Sequence, residues 1–248
     1  MFSQAKAQRL QRNYFKSISG EKLKIKNSKG ECSHCKQEIT GNQAAKHFSV
    51  CSKRLDLIKM SVGKKTPSEN LYHLRTQDAG NDQFWLDLEM RGSATLKDLD
   101  SYLRAIWLEC CGHMSRFSIG SWEADEIPKK QRVDEVFCPG VKLMHIYDSG
   151  TSSQTLIKIM GTRQGKPVTT RPISLMARNY MPESKCAECG KASTKLCMEC
   201  LIEEDTWRTF CEKHAQTHPH ENYGEPVRLV NSPRLGMCGY EGPAEPPY

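Results

Sequence analysis

The 248-residue sequence has no apolar run of about 18 residues, the length that a membrane-spanning helix requires, so we expect no such helix. Its first residues, MFSQAKAQRLQRNYFK, lack the apolar core of a secretory signal peptide. An amphipathic transit peptide is an alternative, because this end is basic and has no acid before Glu21. Several enzyme motifs are missing as well: a phosphate-binding glycine loop, G-x-S-x-G and H-E-x-x-H. These absences predict a cytoplasmic protein without those catalytic sites.

Cysteine is abundant instead. The chain contains twelve cysteines, with 38% hydrophobic and 26% charged residues, as in a folded soluble protein. Without an export signal, clustered cysteines indicate metal ligands rather than disulfides. Cys110, Cys111 and Cys138 lie in the middle of the chain without any ligand spacing.

The charge is concentrated at one end. Residues 1–65 contain 15 Lys or Arg and 4 Asp or Glu, whereas the remaining residues contain 21 and 25. A basic arm on a mildly acidic body predicts contact with a polyanion, although a solvated lysine-rich tail would have the same composition.

A first group of candidate ligands has the spacing C-x2-C-x11-H-x3-C: Cys32, Cys35, His47 and Cys51. Two thiolates on a tight turn can bind one side of a zinc ion. A His and a Cys four residues apart share a helix face and can bind the other side. The spacing therefore predicts a closed tetrahedral site.

This group resembles the ββα zinc-finger family with the final His replaced by Cys, and Ile39 and Ala44 fall where that family has its small core. By analogy, four residues would face a nucleic-acid groove: Thr40, Asn42, Gln43 and Lys46. Phosphate contacts are expected from flanking basic residues: Arg9, Arg12, Lys16, Lys22, Lys24, Lys26, Lys53 and Arg54.

A second group has the spacing C-x2-C-x7-C-x2-C-x10-C-x2-H-x3-H-x-H. Its eight ligands can form two interleaved sites. One would comprise Cys186, Cys189, Cys211 and His214, and the other Cys197, Cys200, His218 and His220. The row resembles B-box and related cross-brace zinc modules, which mostly contact proteins. Its final pair is tighter than usual, so Cys238 is an alternative ligand. Together the two groups predict three Zn²⁺ ions.

The region between the groups predicts an α+β domain. Leu71–Arg75 (LYHLR) and Phe84–Met90 (FWLDLEM) alternate as strands do. Helical spacing follows at Leu96, Leu99, Leu103, Ile106, Trp107 and Cys110, after a capping box at Thr95 and Asp98. Strands are predicted in RFSIG, VKLMHIYD and QTLIKIM, and residues 175–180 (LMARNY) are predicted as a short helix.

Acid–base candidates in this region are few: Glu109, His113, His145 and Asp148. Asp148 is expected to organise a turn, and His145 to pack or face solvent. Cys110 and Cys111 could form a nucleophilic or redox pair, but Cys110 has a place in the helix core. We therefore expect no catalytic residues, and an activity of the central domain is the less favoured alternative.

The order of these elements resembles the Ri-plasmid open-reading-frame-three-like family, also known as insertion-element passenger proteins. The resemblance spans roughly residues 68–165. In the hairpin IYDSGTSSQTLIKI, four residues match that family's YDFGDSWEHEI motif: Tyr147, Asp148, Gly150 and Ile157. The intervening residues depart from the motif and remove its acidic, Trp and His positions. The resemblance implies the fold, whereas the family's activity is poorly defined.

The predicted fold is a central α+β domain, with a mixed β-sheet and one main helix, flanked by two small zinc-stabilised modules. The predicted segments are a basic arm (1–30), a zinc finger (31–60), a linker (61–70), the central domain (71–180), a two-zinc module (181–225) and a mostly irregular tail (226–248) ending in the disordered stretch EGPAEPPY. We expect an adaptor that binds DNA or RNA and a protein partner, with no small-molecule substrate. A protein-interaction subunit without nucleic-acid contact is the alternative.

Overall fold

A computed structural model of the chain describes residues 28–121, 123–138, 140–218 and 222–247. Within these ranges the strands are β1 (Lys29–Cys32), β2 (Glu38–Thr40), β3 (Glu69–Asp78), β4 (Trp85–Arg91), β5 (Ser115–Ile119), β6 (Lys142–Tyr147), β7 (Ser153–Gly165), β8 (Ile173–Asn179), β9 (Lys195–Leu196), β10 (Thr209–Phe210) and β11 (Val227–Arg228). The helices are α1 (Ala44–Val50), α2 (Ser52–Ser61), α3 (Leu96–Leu103), α4 (Val133–Val136), α5 (Met198–Ile202) and α6 (Glu212–Thr217). A π-helical segment (Arg104–Leu108) continues α3, and a 3₁₀ turn (Met237–Gly239) lies near the C-terminus.

Eight strands form one sheet in the order β2-β1-β8-β4-β3-β7-β6-β5, and β10-β9-β11 form a second, small sheet. Every strand pairing described in the two sheets is antiparallel. The α+β class is therefore confirmed, but the expected mixed sheet is wrong. Short loops, residues 79–84 and 148–152, join β3 to β4 and β6 to β7 as hairpins. Hairpins produce antiparallel neighbours, whereas parallel neighbours need long crossovers.

Helix α3 packs against the large sheet as its apolar spacing predicts. The side chains of Leu96, Leu99 and Leu103 are fully buried, and Ile106 and Trp107 of the π-helical segment join the same core. The predicted capping box is present: Thr95 N–H donates to Asp98 Oδ2 at 2.8 Å, and Asp98 N–H donates to Thr95 Oγ1 at 3.4 Å. No helix in the described part of the chain is long and apolar enough to cross a membrane.

The predicted finger is continuous with the large sheet. β1 pairs with β8, so Gly30 lies opposite Asn179. A Cβ at Gly30 would lie 2.1 Å from the Arg178 carbonyl oxygen, which makes glycine necessary for this approach. Beneath the strands, Phe48 of α1 packs in a cluster with Trp85 of β4. The finger and the central domain thus share one sheet and a buried contact.

Residues 175–180, predicted as a helix, lie largely within β8, so that prediction is wrong. β8 pairs with β4 on one side and β1 on the other. Its register shifts opposite Asp87 and Leu88, where Met176 is the extra residue of a bulge. The bulge interrupts the alternation of buried and exposed residues that identifies a strand in sequence.

Two segment boundaries also differ from expectation. Helix α2 ends at Ser61 and β3 begins at Glu69, so the connection is residues 62–68. The described residues of the tail have little regular structure, and Arg234, Leu235 and Tyr240 are buried. Ala244, within the stretch predicted to be disordered, is buried too, which contradicts that expectation.

Asp78, at the end of β3, is a buried carboxyl without a cationic partner in the described structure. Its Oδ2 accepts hydrogen bonds from the backbone N–H of Asn81 at 2.8 Å and of Gly80 at 3.1 Å. Burial raises the pKa of Asp78 to about 7, although these two N–H groups lower it. An unfolded Asp has a pKa of about 3.9. Between these values the native state holds a proton that the unfolded state has lost, so Asp78 lowers stability as pH rises.

We predict that Asp78→Asn reduces the loss of stability as pH rises from about 4 to about 7, because an amide oxygen accepts both N–H groups without titrating. Urea unfolding at a series of pH values, at fixed metal concentration, measures this. Exposed Asp82→Asn in the same loop is the matched control and should change nothing. A stability difference between Asp78→Asn and the native chain that does not vary with pH would contradict the prediction.

Candidate metal centres

The first Cys/His group lies where the β1–β2 hairpin meets α1. β1 ends at Cys32 and Cys35 follows in the turn, which closes through a 2.9 Å hydrogen bond from Lys36 N–H to the Cys32 carbonyl. His47 lies in α1, and Cys51 N–H donates to its carbonyl at 2.8 Å just after the helix ends. The four ligand atoms lie within 4.8 Å of one another, so the structure brings the predicted ligands together.

The cross-brace pairing is also formed. Cys186, Cys189, Cys211 and His214 make one group, and Cys197, Cys200 and His218 make a second. Their order in the chain alternates between groups, as predicted. The predicted fourth ligand of the second group, His220, lies outside the described residues.

Distances within these groups suit a tetrahedral metal ion. Zinc bonds of about 2.3 Å to sulfur and 2.0–2.1 Å to nitrogen give ligand separations of about 3.8 Å between sulfurs and 3.6 Å between sulfur and nitrogen. The observed separations are 3.4 Å for Cys35 Sγ to His47 Nε2, 3.3 Å for Cys186 Sγ to His214 Nδ1, 3.2 Å for Cys200 Sγ to His218 Nε2 and 3.9 Å for Cys189 Sγ to Cys211 Sγ. All twelve cysteines are free thiols, so no disulfide competes for them. Each group can therefore hold a metal ion.

The local environments shift the thiol pKa values in opposite directions. Burial raises the pKa of Cys32 to about 11 and that of Cys200 to about 12. At Cys186, burial also acts to raise the pKa, but the Cys211 N–H and the His214 ring outweigh it and lower the pKa to about 5. A divalent cation would favour the thiolate form at Cys32 and Cys200, because it supplies positive charge that offsets their burial.

A further group brings together residues that showed no ligand spacing: Cys110, Cys111, His113 and Cys238. Cys238, named above as an alternative ligand of the cross-brace, lies in this group instead. More than a hundred residues separate Cys238 from the other three, so only the tertiary structure reveals this group. The adjacent pair Cys110 and Cys111, followed closely by His113, is the one feature of the local sequence that could have indicated this group.

Residues predicted to face nucleic acid lie on the outside of the finger. Asn42, Gln43, Lys46 and Lys53 are exposed, whereas Thr40 is half-buried and its hydroxyl donates to Gln43 Oε1 at 3.0 Å. The predicted arm residues lie outside the described residues: Arg9, Arg12, Lys16, Lys22, Lys24 and Lys26.

Arg54 does not share this exposure. Its Nη2 donates to Glu89 Oε2 at 3.1 Å, and its Nη1 donates to the Phe48 carbonyl at 3.2 Å. Glu89 also accepts from Arg163 at 2.7 and 2.9 Å. Burial acts to raise the pKa of Glu89, but Arg163 and Arg54 outweigh it and hold that pKa below its usual value. Arg54 therefore fastens α2 to the sheet, and the outward surface is smaller than predicted.

The acid–base candidates are engaged in internal contacts. Buried His145 lies 2.7 Å from Asp100 Oδ1, and Ser115 Oγ donates to the same oxygen at 2.6 Å. Burial acts to raise the pKa of Asp100, but these contacts and nearby Arg104 hold it far below its usual range. Glu109 pairs with Arg104 at 2.6 Å. These contacts stabilise the junction of α3, β5 and β6.

No known protein family matches this chain, and no curated protein matches it either. Among solved structures, the chain is similar to the crystal structure of MM3350, a protein of unknown function from Methanosarcina mazei Go1. The TM-score is 0.39 and the identity 18%, over 50% of this chain and 76% of that one. These values are too low to support an argument, so the resemblance to the Ri-plasmid open-reading-frame-three-like family stays a prediction.

We predict that Cys51→Ser lowers the metal content by about one ion per chain, because it removes one of the four ligands of the first group. It should lower the midpoint of thermal unfolding by about 5 °C or more, since 1 kcal/mol corresponds to about 2–4 °C in a chain of this size. Elemental analysis and thermal scans measure both effects.

Cys138→Ser is the matched control, because Cys138 is exposed and belongs to none of the four groups found among the described residues. Its metal content and melting temperature should equal those of the native chain. Equal metal content in the Cys51→Ser variant and the native chain would contradict metal binding at the first group.

Proposed function

We propose that this protein is a non-catalytic zinc-binding adaptor. It contacts nucleic acid through its basic N-terminal residues and finger, and protein through its central and C-terminal modules. The observation that carries the proposal is the convergence of predicted Cys/His ligands at the basic end of the chain, where the finger presents its polar residues outward.

Zinc is the metal that these donors favour. Thiolate and imidazole ligands in tetrahedral sets are typical of structural zinc, whereas hard cations prefer oxygen. A set of three Cys and one His also fills every coordination position, which leaves none for a catalytic water. Zinc in the finger and in the cross-brace group of Cys186, Cys189, Cys211 and His214 would therefore have a structural role.

The finger surface supports nucleic-acid binding. Asn42, Gln43 and Lys46 are exposed around the start of α1, and amide and ammonium groups can donate hydrogen bonds to base edges or phosphates. Lys53 and Lys59 of α2 extend the exposed basic surface. The two lysines of the hairpin contribute less, because Lys29 and Lys36 pair with acids of the same hairpin.

A second candidate is protein binding by the finger without nucleic-acid contact. Its outer side carries apolar side chains that are 67–73% exposed: Val50, Met60 and Val62. Val50 lies at the end of α1, and Met60 and Val62 lie at and just after the end of α2. Exposed apolar residues of this kind can serve as a protein contact. A test of whether the exposed lysines of the finger bind nucleic acid distinguishes the two candidate functions.

We predict that the full chain binds DNA or RNA oligonucleotides with an affinity that falls steeply with salt, because phosphate contacts release counterions. Replacing Lys46, Lys53 and Lys59 by Gln should reduce the salt slope by about one unit for each phosphate that a lysine no longer neutralises. Fluorescence anisotropy across a salt series, with single-stranded and duplex probes, measures this.

The matched control replaces three exposed lysines of the central domain by Gln: Lys97, Lys130 and Lys142. It makes the same change in net charge away from the finger and should alter the slope little. Equal slopes for the two triple variants would show that the finger lysines contact no phosphate. Absence of any salt-sensitive binding by the native chain would favour the second candidate.

A further inference from the structure

Three sulfurs and one imidazole nitrogen converge where the C-terminal segment meets the end of the π-helical segment. Cys111 Sγ lies 3.7 Å from Cys110 Sγ, 3.6 Å from Cys238 Sγ and 3.0 Å from His113 Nε2. His113 Nε2 lies 3.4 Å from Cys238 Sγ. These separations are close to the edges of a zinc tetrahedron with bonds of about 2.0–2.3 Å. They are far longer than the S–S bond of about 2.05 Å in a disulfide.

The backbone is shaped to bring these ligands together. The π-helical segment ends at Leu108, two residues before Cys110, and such segments often occur at functional sites. Gly112 has φ 79° and lets the chain turn between Cys111 and His113. Cys238 has φ 52° and ψ 34°, a left-handed conformation that is costly for a residue with a Cβ. That conformation coincides with the placement of its sulfur beside the other ligands.

Neighbouring side chains position both the loop that carries Cys110, Cys111 and His113 and the C-terminal segment that carries Cys238. Tyr147 Oη accepts hydrogen bonds from the N–H of Cys110 at 3.4 Å and of His113 at 3.3 Å, and donates to Glu109 Oε1 at 2.9 Å. In the C-terminal segment, Ser232 Oγ donates a hydrogen bond to the Trp107 carbonyl at 2.7 Å. These contacts orient the loop and the C-terminal segment before any ion binds.

Arg234 supplies the charge that such a centre requires. Three thiolates around a divalent ion leave a net charge of about −1. The fully buried Arg234 guanidinium donates to Cys110 Sγ at 3.4 Å and to Asp148 Oδ2 at 2.8 Å. It also donates to the Thr151 carbonyl at 2.9 Å and Ser153 Oγ at 3.0 Å. Asp148 Oδ2 lies 3.5 Å from His113 Nε2, so a carboxylate already paired with Arg234 borders the ligand set.

We propose that Cys110, Cys111, His113 and Cys238 bind a further divalent metal ion. Sulfur and imidazole donors favour zinc as that ion. The bound ion links the C-terminal segment to the central domain. The chain then holds four ions rather than the three predicted from its spacing, since four Cys/His groups are formed. The centre is more open than the finger site, because Cys111 and Cys238 are both exposed.

The first test compares Cys238→Ser with Cys138→Ser, an exposed cysteine outside the four groups found in the described chain. Elemental analysis should find about one ion fewer in Cys238→Ser and no loss in Cys138→Ser. Cobalt-substituted protein should lose about a quarter of its d–d absorbance in Cys238→Ser, since one of four centres is removed. Equal metal content in the two variants would overturn the proposal.

A second test leaves the chain unaltered, so a variant that fails to fold does not decide the outcome. Cys111 and Cys238 are exposed yet should resist iodoacetamide in the zinc-loaded protein, because bound thiolates are poor nucleophiles. Mild chelation should make both react, whereas Cys138 should react equally before and after. Peptide mass spectrometry measures the extent of labelling at each cysteine. Labelling of Cys111 and Cys238 at the rate of Cys138 in the zinc-loaded protein would overturn the proposal.

Discussion

The structure brings sulfur atoms of distant cysteines close enough together to share one cation. Thiolates a few ångström apart repel one another, and buried thiols resist ionisation, so such groups are stable as ligands only when a positive charge lies between them. In the cross-brace, with its three-stranded sheet of two-residue strands, little other than Leu196, Phe210 and their neighbours is buried. A module of this size lacks the apolar core to fold unaided, and coordination would replace that core.

At the opposite end, the first Cys/His group adjoins the large sheet. The finger's first strand pairs with β8, and its cluster includes Trp85 and Met176. Arg75 strengthens the same junction: it pairs with Asp87 at 2.7 Å, donates to the Gly41 carbonyl at 2.6 Å and lies over the Trp85 ring. The helices that carry the exposed lysines are thereby fixed to the sheet. A rigid basic surface loses less conformational entropy on binding than a tethered, independent finger would.

Local patterns in the sequence predicted features whose causes are local. The C-x2-C turns, the four-residue step from His47 to Cys51 and the capped helix from Leu96 all depend on residues within one turn or helix, and the structure contains each of them. Long-range features were missed. The strand identity of β8 depends on pairing with β1 and β4, and its bulge hid the alternation. The group containing Cys238 depends on a fold that returns the C-terminal segment to the end of the π-helical segment, which no spacing rule encodes.

That return also determines where the cross-brace lies. The C-terminal segment starts in the small sheet, where Val227 pairs with Leu196, and it then crosses β8. There the Arg178 guanidinium donates to the Asn231 carbonyl at 2.6 Å and the Ala244 carbonyl at 2.8 Å. Because the C-terminal segment is held both at the small sheet and at the central domain, it restricts how the cross-brace can turn relative to that domain. A segment held only at the small sheet would let the cross-brace rotate. The buried Arg234 and its ion pair with Asp148 therefore help to fix the C-terminal segment against the central domain.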